Sequence, residues 1–198
     1  MGQVAVGFRA HTGWAAAVTL AGPPRSPSVI DRRRLELRDP AMPLQVYHAA
    51  RPLGAGEAGD LIRRASEATG AMAERSLRAL IGELERAGHE VFGAGLVLGG
   101  SWPPAMTTEA KLSHAGAHAA EGQVHREALI RASEACGLTV TGVAERALYA
   151  RGAKTFGIAE VELRERVVEL GRELGPPWGQ DQKAAALVAW LALAGRAT

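Results

Sequence analysis

The sequence predicts an α/β domain in which a mixed five-stranded sheet, three strands in an antiparallel meander and two parallel, is flanked by helices. Three observations carry that prediction. Residues 3–38 hold three strand-like stretches joined by short connections. From residue 57 onward, helical and strand-like stretches alternate. The chain has 198 residues, 47% of them hydrophobic and 22% charged, which suits one globular domain spanning 1–198.

The elements follow in order. Residues 3–8 form a valine-rich strand and 13–20 a second, with 9–12 as the turn between them. Pro23, Pro24 and Pro27 break the chain. Residues 28–38 alternate as a half-exposed third strand. One face carries Val29, Leu35 and Leu37, the other Ile30, Arg32, Arg34, Glu36 and Arg38. Residues 39–56, rich in proline and glycine, read as irregular. Residues 57–87 repeat Leu61, Ile62, Ala65, Thr69, Met72, Ala73, Ser76, Leu80 and Leu84 at helical spacing, a pattern that Gly70 can interrupt, and Gly88 supplies a C-terminal stop. Residues 90–98, apolar on both faces, predict a central strand. Thr107 or Thr108 can cap a helix reaching about Ala135, and 138–144 form a fifth strand. A helix over 160–174 stops at Gly175, Pro176 and Pro177, and Asp181 can cap a last helix over 182–193. The strand-helix-strand units are expected to be right-handed crossovers.

The net charge is +2 and the pI about 9.0, which permits nucleic-acid binding without demanding it. The lone Cys136 excludes an internal disulfide and fits a reducing compartment as a small buried apolar residue. No charged stretch followed by an apolar core opens the chain, and the apolar run 184–194 is too short to span a bilayer. These features predict a cytoplasmic protein with no membrane partner. The oligomeric state is open, a homodimer included.

Two stretches sharpen the fold. The opening Val4-Ala5-Val6-Gly7-Phe8-Arg9 leads to Gly13-Trp14-Ala15, and the closing Asp181-Gln182-Lys183-Ala184-Ala185-Ala186 opens an alanine-rich helix. With the element order and the segment 145–174, they resemble the ribonuclease-H-like superfamily, in particular its RuvC-type resolvases. There the first strand ends in glycine, an apolar residue and aspartate, and two aspartates three residues apart open the last helix. The resemblance implies a nucleic-acid-related fold whose carboxylates hold two divalent metals ~4 Å apart for phosphodiester cleavage. This chain departs from that pattern. Arg9 stands at the first aspartate, Asp181 matches one member of the pair, and Ala184 replaces the other. Residues 91–98 offer no carboxylate where resolvases carry glutamate. An arginine in place of a carboxylate repels a metal rather than holding it.

A second candidate is local. His114, His118, Glu121 and His125 are spaced four, three and four apart, on one stripe of a helix at ~100° per residue. Such a set can hold a metal, with Glu121 as ligand or general base, or it can be a half-buried polar stripe bonded to neighbouring backbone. It is not the metalloprotease pattern, because Ala115 follows the first histidine.

Other residues also have two readings. Asp181 is a helix cap or a cleft carboxylate. Trp178 is a stacking surface or packs beneath the last helix. Lys183 contacts phosphate or solvent. Arg32, Arg34 and Arg38 track a phosphate backbone or guard an edge strand. Trp102 lies in the loop after the fourth strand, Trp14 and Trp190 read as core residues, and His48 has no assigned role.

Two functional expectations result. In the first, a metal-dependent nuclease with a remodelled site uses His114, His118, Glu121 and Asp181 to hold magnesium, manganese or zinc. Glu121 and Asp181 then serve the chemistry, Arg9 clamps the phosphate, and Arg32, Arg34, Trp178 and Lys183 contact nucleic acid. In the second, the fold is kept without catalysis and binds nucleic acid or a protein. A small-molecule hydrolase using the histidine stripe is a third option.

Overall fold

In the computed structural model, which describes residues 2–99 and 111–195, the predicted mixed sheet is present. Its strands are β1 (Gly2–His11), β2 (Trp14–Ala21), β3 (Ser28–Glu36), β4 (His89–Leu98) and β5 (Thr139–Ala144). They lie in the order β3-β2-β1-β4-β5. β1, β2 and β3 pair antiparallel, whereas β4 runs parallel to both β1 and β5. The helices are α1 (Val46–Ala50), α2 (Ala55–Arg86), α3 (His114–Ala135), α4 (Leu148–Phe156), α5 (Glu160–Glu169) and α6 (Gln180–Ala194).

Two apolar layers follow from strand alternation. On one face Val6, Phe8, Ala17, Leu35 and Leu96 pack under α2 and α3 through Leu77, Leu80, Ala128 and Leu129. On the other, Ala5, Val18, Leu20 and Val97 pack under α6, with Leu148, Leu163 and Val167 of α4 and α5 outside it. The helix α6 is thus buried from Ala184 to Leu193, which explains its lack of any polar stripe in this stretch. Small residues bring it close to the sheet. A Cβ on Gly7 would overlap the Ala185 carbonyl, and one on Gly95 the Val188 carbonyl. Trp190, 2% exposed, donates its indole N–H to the Pro24 carbonyl at 2.7 Å, as a core residue should.

Several local expectations are corrected. The β1–β2 turn is Thr12-Gly13 rather than 9–12, because β1 continues to His11, which pairs with Trp14. Gly13 adopts φ +82°, a conformation that favours glycine. In β3 a bulge shifts the register, so that Val29 pairs with Leu20 and Asp31 with Thr19. Val29 therefore shares the α6 face with Arg32 and Arg34, while Leu35 faces α2. The stretch read as irregular contains α1, and α4 was not predicted. The helix expected over 160–174 ends at Glu169, with a 3-10 turn over Arg172–Leu174. Asp181 does not cap α6: Gly179 is the N-cap, and Gln182 accepts from the Gly179 N–H at 3.0 Å. The cap at Thr107 or Thr108 and Trp102 lie outside the described residues; Ser113 caps α3 by accepting from the Gly116 N–H at 3.1 Å.

Candidate functional site

Strand parity places Ala5, Gly7, Arg9 and His11 in one row facing α6. With Gly7 against Ala185 and Ala189, the row reaches the first turn of α6 at Arg9. There Arg9 Nε donates to Asp181 Oδ1 at 2.6 Å, and Arg9 Nη1 lies 2.6 Å from Glu145 Oε1. Glu145 directly follows β5, so the guanidinium ties together the carboxyl ends of two strands and the start of a helix. His11 Nε2 stands 3.0 Å from the same Asp181 oxygen, off the hydrogen-bond direction.

The cluster continues outward. His11 stacks on Trp14 with ring centroids 4.5 Å apart and planes 15° apart. The Arg34 guanidinium lies 4.3 Å from the Trp14 ring centroid and donates to Glu36 at 2.7 Å. Trp14 is therefore part of a half-buried surface ladder, not the core. Beside Glu145 opens a groove of about 560 Å³ whose lining includes Arg146, Tyr149, Glu160, Arg164, Gln180 and Lys183, with Glu160 3.7 Å from the Arg164 guanidinium. Arg164 covers Tyr149 at 3.8 Å.

The ribonuclease-H-like resemblance implies a divalent metal at the position Arg9 occupies, and the residues present do not fit one. Asp181 and Glu145 already share a guanidinium that is only 18% exposed. A dication ~4 Å from that fixed charge would meet a repulsion of about 8 kcal/mol at an effective dielectric of ~20. Among the described residues, no group of three or more His, Cys, Asp or Glu side chains is arranged to hold a metal ion.

The histidine stripe is elsewhere. Glu121 belongs to α3 and Asp181 to α6, on opposite faces of the sheet, so the structure does not bring them together. Glu121, 4% exposed, accepts from the backbone N–H groups of Tyr47 at 2.6 Å and His48 at 3.3 Å. It caps α1 from outside, satisfying donors that a helix start leaves open. His125, 5% exposed, donates from Nδ1 to the Glu121 carbonyl at 2.9 Å and accepts from the Gly13 N–H on Nε2 at 2.9 Å. Both bonds fix the neutral tautomer, and burial pushes its pKa below the ordinary value. His118 is exposed and meets His48 edge-on, ring centroids 4.5 Å apart. The side chain of His114 lies outside the described residues. Glu121 and His125 thus form a structural network holding α1 and the β1–β2 turn to α3.

Arg32 and Trp178 are engaged by backbone carbonyls. Arg32 donates to the carbonyls of Gly175 at 2.9 Å and Pro177 at 2.6 Å, holding the loop that enters α6. Trp178 donates to the Val167 carbonyl at 3.0 Å and lies flat over Gly171, which favours the packing reading. Lys183 lines the groove. Sequence reasoning missed His11 and Glu145. Glu145 carried a signal, since a carboxylate directly after a strand stands at the carboxyl edge where ligands bind in open α/β sheets.

The sequence matches no protein-family model and shows no significant similarity to a curated protein. Similarity appears at the level of structure. The Thermus thermophilus RuvC structure aligns over 98% of this chain and 96% of its own, with TM-score 0.54 and 10% identity. T. thermophilus RuvC in complex with Holliday junction substrate aligns over 98% and 96%, with TM-score 0.56 and 11% identity. The chain therefore has a ribonuclease-H-like fold of RuvC type, as its sequence implied. Among the described residues, no helix is long and apolar enough to cross a membrane.

Proposed function

We propose that this chain is a RuvC-type fold that binds nucleic acid without hydrolysing it, an internal arginine filling the place of the metal. The observation that carries the reading is the Arg9 guanidinium shared between Asp181 and Glu145. A guanidinium neutralises these carboxylates but offers no open position to activate water and no proton to relay. Nucleic acid as the ligand is supported by the fold shared with a protein solved on a Holliday junction substrate. It is also supported by the groove beside the cluster, where the cations Arg146, Arg164 and Lys183 outnumber the carboxylates Glu145 and Glu160. In this reading Arg32, Arg34 and Trp178 position loops and the ladder, and Lys183 is the candidate phosphate contact.

The test is titration of a four-way junction and a linear duplex over a salt series, with cleavage assayed in magnesium and manganese. Affinity should fall linearly with the logarithm of salt, and no strand should be cut. Salt-independent or absent binding removes nucleic acid as the partner. Metal-dependent cleavage abolished by Asp181→Asn would establish a remodelled nuclease instead.

A further inference from the structure

Arg126 projects from α3 toward the carboxyl end of β4, over two glycines. A Cβ on Gly99 would stand 3.1 Å from its Cζ, and one on Gly122 2.8 Å from its Nη1. Any other residue at either position would press on the guanidinium, so the pair forms a cradle for it. The Nε is buried without a hydrogen-bond partner, and among the described residues the guanidinium makes no ion pair. Burial pushes its pKa below the ordinary arginine value, and the charge of Glu127 opposes that shift. A half-buried guanidinium whose Nε has no hydrogen-bond partner, and which forms no ion pair among the described residues, is unfavourable by itself, so a group supplied from outside is the natural partner.

The location agrees. β4 lies between β1 and β5, and Leu98 pairs with Ala144, so Gly99 stands beside the strand position of Glu145. Arg126 thus reaches the same sheet edge as Arg9. Its planar fork matches an oxyanion that presents two oxygens side by side. We propose that Arg126 anchors a phosphate group at the carboxyl end of β4. The assignment deepens, and rests on, the nucleic-acid reading above, by adding a backbone contact that Arg9, bound within the protein, does not provide.

The experiment is thermal unfolding of the full chain in inorganic phosphate and in sodium chloride at matched ionic strength, for wild type, Arg126→Met and Gly122→Ala. The wild-type Tm should rise saturably with phosphate. Arg126→Met should lose that rise while melting in chloride at or above the wild-type temperature, whereas an arginine with a merely structural role would melt lower when replaced. Should Arg126→Met fail to fold, Gly122→Ala decides: its added Cβ displaces Nη1 and should blunt the phosphate response without lowering Tm in chloride. A wild type indifferent to phosphate, or variants that respond as it does, overturns the proposal. An oligonucleotide titration separates the two sources of phosphate. If the backbone supplies it, Arg126→Met lowers the slope of log affinity against log salt by about one. Oligonucleotide binding left unchanged while the phosphate response is lost keeps the anion site, assigns it to free phosphate or a phosphomonoester, and counts against the nucleic-acid reading.

Discussion

Replacing Arg9 by methionine keeps the apolar stem and removes the charge that Asp181 and Glu145 share. Both contacts are 2.6 Å long, but their partners differ in exposure: the Asp181 side chain is 29% exposed and that of Glu145 40%. A hydrogen bond to a charged group contributes about 1.5–3 kcal/mol when shielded. An ion pair open to solvent contributes at most about 1 kcal/mol. Assigning the first value to Asp181 and the second to Glu145 gives a loss of about 1.5–4 kcal/mol. For a chain of this length each kcal/mol shifts Tm by roughly 2–4 °C, so the variant should melt about 3–16 °C lower. Urea unfolding at pH 7 measures the free energy, and calorimetry the shift. The variant should also gain stability from added manganese that the wild type does not, because its two carboxylates are left without a cation. A variant within about 0.5 kcal/mol of wild type, the scatter expected of surface substitutions, would refute the reading of Arg9 as the cation of this edge.

Other substitutions test the surrounding architecture. Glu121→Ala strips two backbone N–H groups of α1 of their acceptor and should cost about 2–3 kcal/mol in urea unfolding, whereas Glu121→Gln, which keeps an acceptor oxygen, should cost less. Gly7→Ala forces a Cβ into the Ala185 carbonyl and 2.6 Å from the Ala189 nitrogen, so a loss above about 4 kcal/mol, or no soluble protein, is expected. His125 is held neutral with its pKa lowered by burial, so the unfolded chain takes up its proton first as pH falls. Its contribution is complete above the unfolded pKa of about 6.5 and declines as pH drops from there toward the folded value, by at most about 1.4 kcal/mol per pH unit. Tm measured from pH 7.5 to 5.5 should therefore fall in wild type more steeply than in His125→Gln.

What the sequence disclosed was decided locally or by strand period. The valine-rich first strand, the apolar 90–98 and the apolar run 184–194 of the last helix each announce their burial, and Gly88, φ +85°, ends α2 as a glycine there should. Arg9 and Asp181 were legible as a pair because both fall at positions that a known fold brings together. The rest depends on contacts far apart in sequence. The five residues of α1 are held by Glu121, 74 positions from Tyr47, so no local pattern announces them. The same contact explains why the stripe on α3 looked like a metal site. Buried histidine and glutamate at helical spacing have the same appearance whether they bind an ion or backbone donors. The bulge near Ile30 exchanged the faces of β3, which period-2 reading cannot register, and so misplaced Val29.

Arg9, at the position where the ribonuclease-H-like resemblance implies a carboxylate, changes the edge of the sheet in kind, not only in charge. A bound metal is exchangeable, and its strength as a catalyst lies in the ligand positions it leaves open. A guanidinium is covalently present, spends its directional donors on the groups around it, and holds them in one geometry. Here it joins β1, the residue after β5 and the first turn of α6, while His11, Trp14 and Arg34 extend the arrangement across the hairpin toward β3. Each member of that ladder fixes the next, so the cations in it are consumed by the fold. Charge available to a polyanion must come from arginines and lysines outside the ladder. That requirement singles out Arg126 in its glycine cradle and the groove of Arg146, Arg164 and Lys183, and it makes the two surfaces, rather than Arg9, the places where substitution should change binding more than stability.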